Sequence, residues 1–508
     1  MPPSSQSIDH EGSAKGILRL PSETIAAICS QLPNSSIKDL RLSCVSLSAI
    51  ACLRFDRVFL SAQPREIEIF HNVANSDKYR GRLGEIVYDD GPADDDTVSA
   101  TEAHQDGDHY VLHLEPNDGD DVRKVPRWFS FACEQNRRIL TAELDDRVEH
   151  LMSTEKSWEE YKCLLRKQRQ VLKSNLLAKA LETGLERFPM LRKITITSAS
   201  HGRLFEPLYM TPTIRAMSYG LNYPVPSGWL PATWDAWFQV PRWGEIETEW
   251  MGFRLVMRLL ANTELAHNVE EIRVESGELI TGLNGNIFEK PNRTLMDFTT
   301  AIAAPTFRRL HLDIIWNKRA GYDWPGYQND LLGQALVGAS GGRGLECLSL
   351  GIHGNIRESF LDPLYDPSLM NILPFASLAR LREFRLSGFF VTSYDLIRHL
   401  AMLPETIELV EISLLDVLDV NYEELLVQIR DSLNWTSRDE KPRVSVGFPD
   451  MTYTPYAECS IDDSVNSFLY SDGPNPFSGR ALSLAFGIMC AKLEFKPLPL
   501  QARWDRWI

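Results

Sequence analysis

Apolar residues recur along this chain in six-residue windows, at positions one, four and six. The windows are LGEIVY from Leu83, LRKITI from Leu191, VEEIRV from Val269, FRRLHL from Phe307, LECLSL from Leu345, LREFRL from Leu381 and LVEISL from Leu409, with KPRVSV from Lys441 a weaker eighth. From Val269 onward, successive starts fall 28 to 38 residues apart. Positions four and six are separated by the strand period of two, so one face of each strand belongs to a core. Helical patterns lie between the windows: MGFRLVMRLLAN from Met251, YQNDLLGQALVG from Tyr327 and YDLIRHLAML from Tyr394. A strand and helix repeated at this spacing predict an α/β solenoid, because each unit has apolar faces that only a stacked neighbour can bury.

Two wider gaps between windows hold insertions, at about 89–125 and 198–250. The first contains DDGPADDD and NDGDD and reads as a solvated loop; Asp106, Asp108 and Asp118 do not have the ligand spacing of a calcium loop. A single long helix pattern, SWEEYKCLLRKQRQVLKSNLLAKALETGLERF, then leads into the window at Leu191. The second insertion carries Trp229, Trp234, Trp237, Trp243 and Trp250. Clustered Trp suits either a recognition surface or a compact loop packed on its own rings.

The stretch from Ile17 to Ala51 has a different rhythm. Ile25, Ile28, Cys29 and Leu32 form one helical stripe after Pro21, which suits a first helical turn. Pro33 and Asn34 stop that helix, and Ser36 with Asp39 has the spacing of a capping box that starts a second. Ile37, Leu40, Cys44 and Leu47 lie on one face of the second helix, and Leu42 and Val45 on another. A third short helix is expected around Ala49 to Leu53. About 35 residues are too few to hide that many apolar faces alone, so a partner or a neighbouring core must cover some of them.

Composition adds limits. The chain has 508 residues, 44% hydrophobic and 24% charged, with a net charge of −16. That balance argues against nucleic acid or an anionic membrane surface as a partner. No apolar run approaches the length of about 18 residues needed to span a membrane. The eight cysteines are scattered without a Cys-x-x-Cys pair, which suits a reducing compartment, cytoplasmic or nuclear.

Candidate chemistry is thin. Gly338-Ala339-Ser340-Gly341-Gly342 fits G-x-S-x-G, yet a helix pattern precedes it and a strand follows, the reverse of a nucleophile elbow. His104, His109 and His113 are close in sequence but have no partner cysteines for zinc. No phosphate-binding loop or dinucleotide fingerprint is present. The expectation is a binding protein, not an enzyme, with no cofactor and no metal.

The opening stretch resembles an F-box. The residues that carry the resemblance are Leu20, Pro21, Glu23, Ile25, Ile28, Leu32, Asp39, Leu40, Arg41, Leu42, Cys44 and Val45, in the family's order and spacing. Where many F-boxes place a basic residue and a Trp, this chain has Val45-Ser46-Leu47-Ser48-Ala49. With the repeats, the layout is similar to F-box/leucine-rich-repeat proteins, although the Asn that often follows the strand of such repeats is absent. Residues 1–16, rich in Ser, Pro and Gly, read as a disordered leader; the resemblance implies an F-box at 17–58, a degenerate leucine-rich-repeat solenoid at 59–448 and a cap or tail at 449–508. It implies a substrate receptor of an SCF-type ubiquitin ligase that docks on a Skp-type adaptor and, through it, a cullin. Leu20, Pro21, Ile25, Ile28, Leu32, Leu40, Leu42 and Val45 would then contact the adaptor. A protein target would meet the strand positions that alternate with the core, among them Glu271, Arg273, Arg309, His311, Asp313, Glu383 and Arg385; a solvated sheet face is the plainer reading of those seven. A repeat scaffold that holds the adaptor without a ligase role is the alternative.

Overall fold

A computed structural model describes residues 16–91 (except 33, 52 and 54), 104–106, 109–111, 125–226 (except 143 and 144), 229, 250–315 (except 278 and 280), 330–340, 344–353, 372–450 and 457–478. The chain divides into two compact units, Met1–Asp56 and Arg57–Ile508.

The first unit is helical. A 3-10 turn, Gly16–Arg19, leads to α1 (Ser22–Ser30), α2 (Asn34–Ser43) and α3 (Val45–Ile50). Pro21 takes the N-cap position of α1. Helix α2 starts at Asn34, two residues ahead of the expected Ser36 cap. Helix α3 starts at Val45, well before Ala49, because the Cys44 thiol accepts a hydrogen bond from Leu47 N at 3.4 Å and caps it there. The Arg41 guanidinium ties α2 to the end of α3 by donating to Ala51 O at 3.0 Å. Ile25, Cys29, Ile37, Leu47 and Ala51 form the core, with Leu32 and Leu40 half-buried against it.

The second unit is built on one mixed α/β sheet. Nine strands lie side by side in chain order: β1 (Arg57–Ser61), β2 (Glu85–Asp89), β3 (Lys193–Thr197), β4 (Glu271–Glu275), β5 (Arg309–Ile315), β6 (Cys347–His353), β7 (Glu383–Ser387), β8 (Leu409–Ser413) and β9 (Arg443–Asp450). All nine are parallel. A two-residue strand, Leu283–Asn284, also pairs in parallel with β5, and Ala457–Ser460 closes the series antiparallel to β9. Each strand thus neighbours the next in sequence, the arrangement that stacked strand–helix units require.

The core rows follow the sequence windows. Ile86, Ile194, Ile272, Leu310, Leu348, Phe384, Val410 and Val444 stand in one row across the sheet, each at 0–1% exposure. Burying each such side chain contributes about 1.5–3 kcal/mol. Helices cover this face, with Pro64–Ala74 packed on Leu176–Arg187 and Met251–Leu260 on Arg293–Ile302. The pattern MGFRLVMRLLAN is helix Met251–Leu260, and YDLIRHLAML is helix Ser393–Ala401.

Three details depart from the sequence expectation. Phe55, Val58 and Leu60 make another one-four-six window, FDRVFL, whose strand β1 opens the sheet at Arg57, two residues before the solenoid start expected at 59. The window placed at Leu409 is out of phase: Leu409 pairs with Glu383, so Ile407, 1% exposed, fills the slot that Leu381 fills in the preceding repeat. The repeat is therefore IELVEI from Ile407, and Leu414, expected inward, is 37% exposed. The single long helix is two, Thr154–Leu172 and Leu176–Arg187. Ser174 breaks it: its hydroxyl donates to Val171 O at 2.6 Å and accepts from Leu176 N at 3.3 Å, satisfying backbone groups that a continuous helix would pair.

Candidate functional site

The side chains that alternate with the core rows form the polar face of the sheet, and their signs are ordered. Arg57, Glu85, Lys193, Glu271, Arg309, Cys347 and Glu383 follow one another across β1 to β7. Positive and negative groups alternate as far as Arg309. Glu85 pairs with Arg57 at 3.3 Å and Lys193 at 3.1 Å; Glu271 lies 3.8 Å from Lys193 and 3.6 Å from Arg309. Cys347 interrupts the alternation, and Arg309 reaches over it to Glu383 at 2.6 Å. Burial pushes the Glu85 carboxyl up, but Lys193 and Arg57 outweigh it and hold that group below its ordinary range.

Two residues further along each strand lies a second row with Arg273, His311, Arg385 and Glu411. Arg273 pairs back to Glu271 at 3.1 Å, and Arg385 joins Glu383 at 2.9 Å and Glu411 at 3.3 Å. His311 Nε2 sits 3.5 Å from the Arg273 guanidinium and 3.6 Å from Cys347 Sγ. In the third row Asp313 accepts from the Ser276 backbone at 2.8 Å and from its hydroxyl at 2.6 Å. All seven strand residues singled out in the sequence therefore belong to one face and mostly to one network.

That face is only partly solvated: Glu271, Arg309, Asp313, Glu383 and Arg385 are half-buried, and two of the seven are buried. His311 is 4% exposed and Arg273 9%. Part of the cover comes from the second insertion: Tyr209 donates to Glu275 Oε2 at 3.1 Å, and its ring lies 5.8 Å from the Arg57 guanidinium. The interlocked ion pairs hold these side chains in fixed positions relative to one another.

The Cys347–His311 contact invites a nucleophile–base reading, and the electrostatics oppose it. Burial pushes the Cys347 thiol up to about 12, with Glu383 adding to the effect. Burial, then Arg273, Arg385 and Arg309, holds His311 far below its ordinary value, so the imidazole is neutral. Nucleophilic cysteine chemistry needs a thiolate, which this setting disfavours.

The other sequence candidates fall elsewhere. Ser340 caps the end of helix Leu331–Ala339 and donates to Leu336 O at 3.1 Å, with strand β6 following; Gly341 and Gly342 lie outside the described residues. His104 and His109 are on a two-stranded antiparallel hairpin, and His113 is outside the described residues. Trp229 and Trp250 are core residues, their indoles donating to Asp90 Oδ2 at 2.9 Å and Gly282 O at 3.0 Å; Trp234, Trp237 and Trp243 are outside the described residues, as are most of the acidic stretch and the tail beyond 478.

In the helical unit the eight candidate adaptor residues divide. Leu42 and Val45 are 85% and 87% exposed, Leu20 and Ile28 39% and 37%. Pro21 is exposed, and Leu32 and Leu40 are half-buried. Ile25 is 1% exposed and belongs to the unit's own core, so it is not available to a partner. Its place on the inner side of α1 follows from pairing with Cys29, one turn on.

No family model matches this chain, and no curated protein matches it. Among the described residues, no helix is long and apolar enough to cross a membrane, and no group of three or more His, Cys, Asp or Glu side chains is arranged to hold a metal ion.

Proposed function

We propose that the protein is the substrate-recognition subunit of an SCF-type ubiquitin ligase. The helical unit docks on a Skp-type adaptor that links it to a cullin, and the polar face of the sheet receives a protein target. The role is positional: holding a target near the ubiquitin-carrying enzyme raises the effective concentration of its lysines.

The observation that carries the reading is the division of apolar residues in the helical unit. Ile25, Cys29, Ile37 and Leu47 already fill its core, while Leu20, Ile28, Leu42 and Val45 remain outside it. Single exposed apolar residues are ordinary. Four on so small a unit, at positions that the F-box resemblance assigns to the adaptor, support a docking role.

The test is capture by a purified Skp-type adaptor–cullin complex. The full chain binds it; Leu42→Asp combined with Val45→Asp abolishes binding while circular dichroism and the unfolding midpoint stay unchanged. Absence of binding by the wild-type chain refutes the reading. Capture of adaptor without cullin leaves the scaffold alternative in its place.

A further inference from the structure

At the carboxyl edge of the same sheet face, beyond the ion pairs, the ends of β1 and β2 and the segment after β3 line a cavity of about 40 Å³. The carboxyl edge of a parallel sheet is where α/β folds collect ligands. Ser61 closes β1 and Asp89 closes β2. Glu66 comes from the first turn of helix Pro64–Ala74, and Thr213 and His201 from the segment after β3. At roughly 10–15 Å³ for each water-sized occupant, the space admits a small ion with one or two waters.

The lining is built for a positive charge. It contains two acidic side chains, Glu66 and Asp89, and no Lys or Arg; burial, then the neighbouring Glu66, pushes the Asp89 carboxyl up to about 8, the strain that a cation between two acids relieves. Glu66 is 1% exposed; its Oε1 accepts from Thr213 N at 3.2 Å, and its Oε2 has no hydrogen-bond partner among the described residues. Ser61 Oγ and Thr213 Oγ1 are likewise buried without partners, on residues 6% and 9% exposed. Asp89 Oδ1 accepts from Gly91 N at 3.1 Å, and His201 Nδ1 shares a hydrogen bond with Tyr223 Oη at 2.8 Å. Leaving a carboxylate oxygen buried and unpaired costs several kcal/mol, and a bound cation removes that cost. The unpartnered atoms are all hard oxygens, which select hard cations over thiophilic ones.

We propose that this cavity binds a compact monovalent cation, Na⁺, K⁺ or NH₄⁺, through Glu66, Asp89, Ser61 and Thr213. The single charge follows from the donor count. Four side chains with one or two waters fall short of the roughly six to eight oxygens that Ca²⁺ takes, and a space of about 40 Å³ leaves no room for the several waters that Mg²⁺ keeps. The site joins β1 and β2 to the helix Pro64–Ala74 and to the segment after β3, so its occupant would tie these four pieces together.

The experiment uses the full-length chain exchanged into tetramethylammonium buffer. Unfolding midpoints are recorded against NaCl, KCl, NH₄Cl and tetramethylammonium chloride at equal ionic strength. At least one compact ion raises the midpoint by about one to three degrees, increasing with the logarithm of its concentration, while tetramethylammonium, too large for the cavity, does not. Glu66→Gln and Asp89→Asn each abolish the rise; Glu68→Gln, exposed on the same helix, retains it. Equal midpoints in all four salts overturn the proposal and leave a water-filled cavity, a comparison that needs no variant to fold. A rise that survives both cavity variants also overturns it. A larger Glu66-dependent rise with MgCl₂ or CaCl₂ overturns the monovalent assignment.

Discussion

Arg309 Nη2 lies 2.6 Å from Glu383 Oε1, although Cys347 occupies the strand between them. The pair bridges β5 and β7, and Arg309 is also 3.6 Å from Glu271 on β4. One guanidinium thus links three strands, β4, β5 and β7, passing over β6. Arg309→Met leaves two half-buried carboxylates short of a cation and is expected to cost about 1–2 kcal/mol, the upper range being discounted because 36% of the side chain is in solvent. In a urea double-mutant cycle with Glu383→Gln, the double variant should lose less than the two single losses together. Strict additivity would show that the pair does not couple.

His311 sets a pH dependence of definite sign. Burial, then Arg273, Arg385 and Arg309, keeps it from binding a proton in the folded chain, whereas the unfolded chain binds one near pH 6.5. The folded state binds fewer protons, so stability falls as pH drops below about 6.5. His311→Gln removes this contribution. The wild-type advantage over the variant should shrink by up to about 1.4 kcal/mol per pH unit between pH 6.5 and 5. An advantage that is constant across urea titrations at pH 7.5, 6.5 and 5.5 would contradict the assignment.

Thiol reactivity should separate Cys163 from Cys133 and Cys347. Cys163 is exposed. Burial pushes both Cys133 and Cys347 up to about 12. With iodoacetamide at pH 8, peptide mass spectrometry should find Cys163 modified within minutes and the other two only after denaturant is added. Early labelling of Cys347 would mean that the charged face opens in solution.

Ile25 and Leu42 should behave oppositely although both are aliphatic and both fit the F-box pattern. Ile25→Ala opens a cavity in a small core and is expected to cost about 2–4 kcal/mol. Leu42→Ala, at an 85% exposed position, should stay within about 0.5 kcal/mol. Hydrogen exchange of the amides in α1 to α3 reports the difference directly.

The one-four-six windows were legible because they record what each strand must bury, a local demand repeated strand by strand. Their phase was less secure. Ile407 and Leu409, two positions apart, are both apolar and could each start the window, and only the pairing of Leu409 with Glu383 decides between them. FDRVFL was hidden by its place directly after the helical stretch, where it passed for the end of that unit. The break at Ser174 depends on a hydroxyl choosing backbone partners, which helical periodicity does not encode. At the candidate site, the alternation of strand residues foretold which side chains share a face. Their burial was not legible, since it comes partly from Tyr209, more than 60 residues before the Glu275 it contacts. The inward place of Ile25 was open for a similar reason: α1 shows apolar residues on two sides, and packing against Ile37 and Leu47 selects one.

The pairing of β2 with β3 has a consequence for how this chain tolerates change. Glu85 faces Lys193 in register although more than a hundred residues separate them. Register there is set by the core rows and the ion pairs, not by the length of the connection, and lengthening a long loop costs little closure entropy. The connection beyond Gly91, clear of the contacts of Asp89 and Asp90, is therefore a natural graft point. A reporter domain inserted there should leave both strands aligned, whereas the same cargo placed between β7 and β8, joined by only 21 residues, would strain the stack.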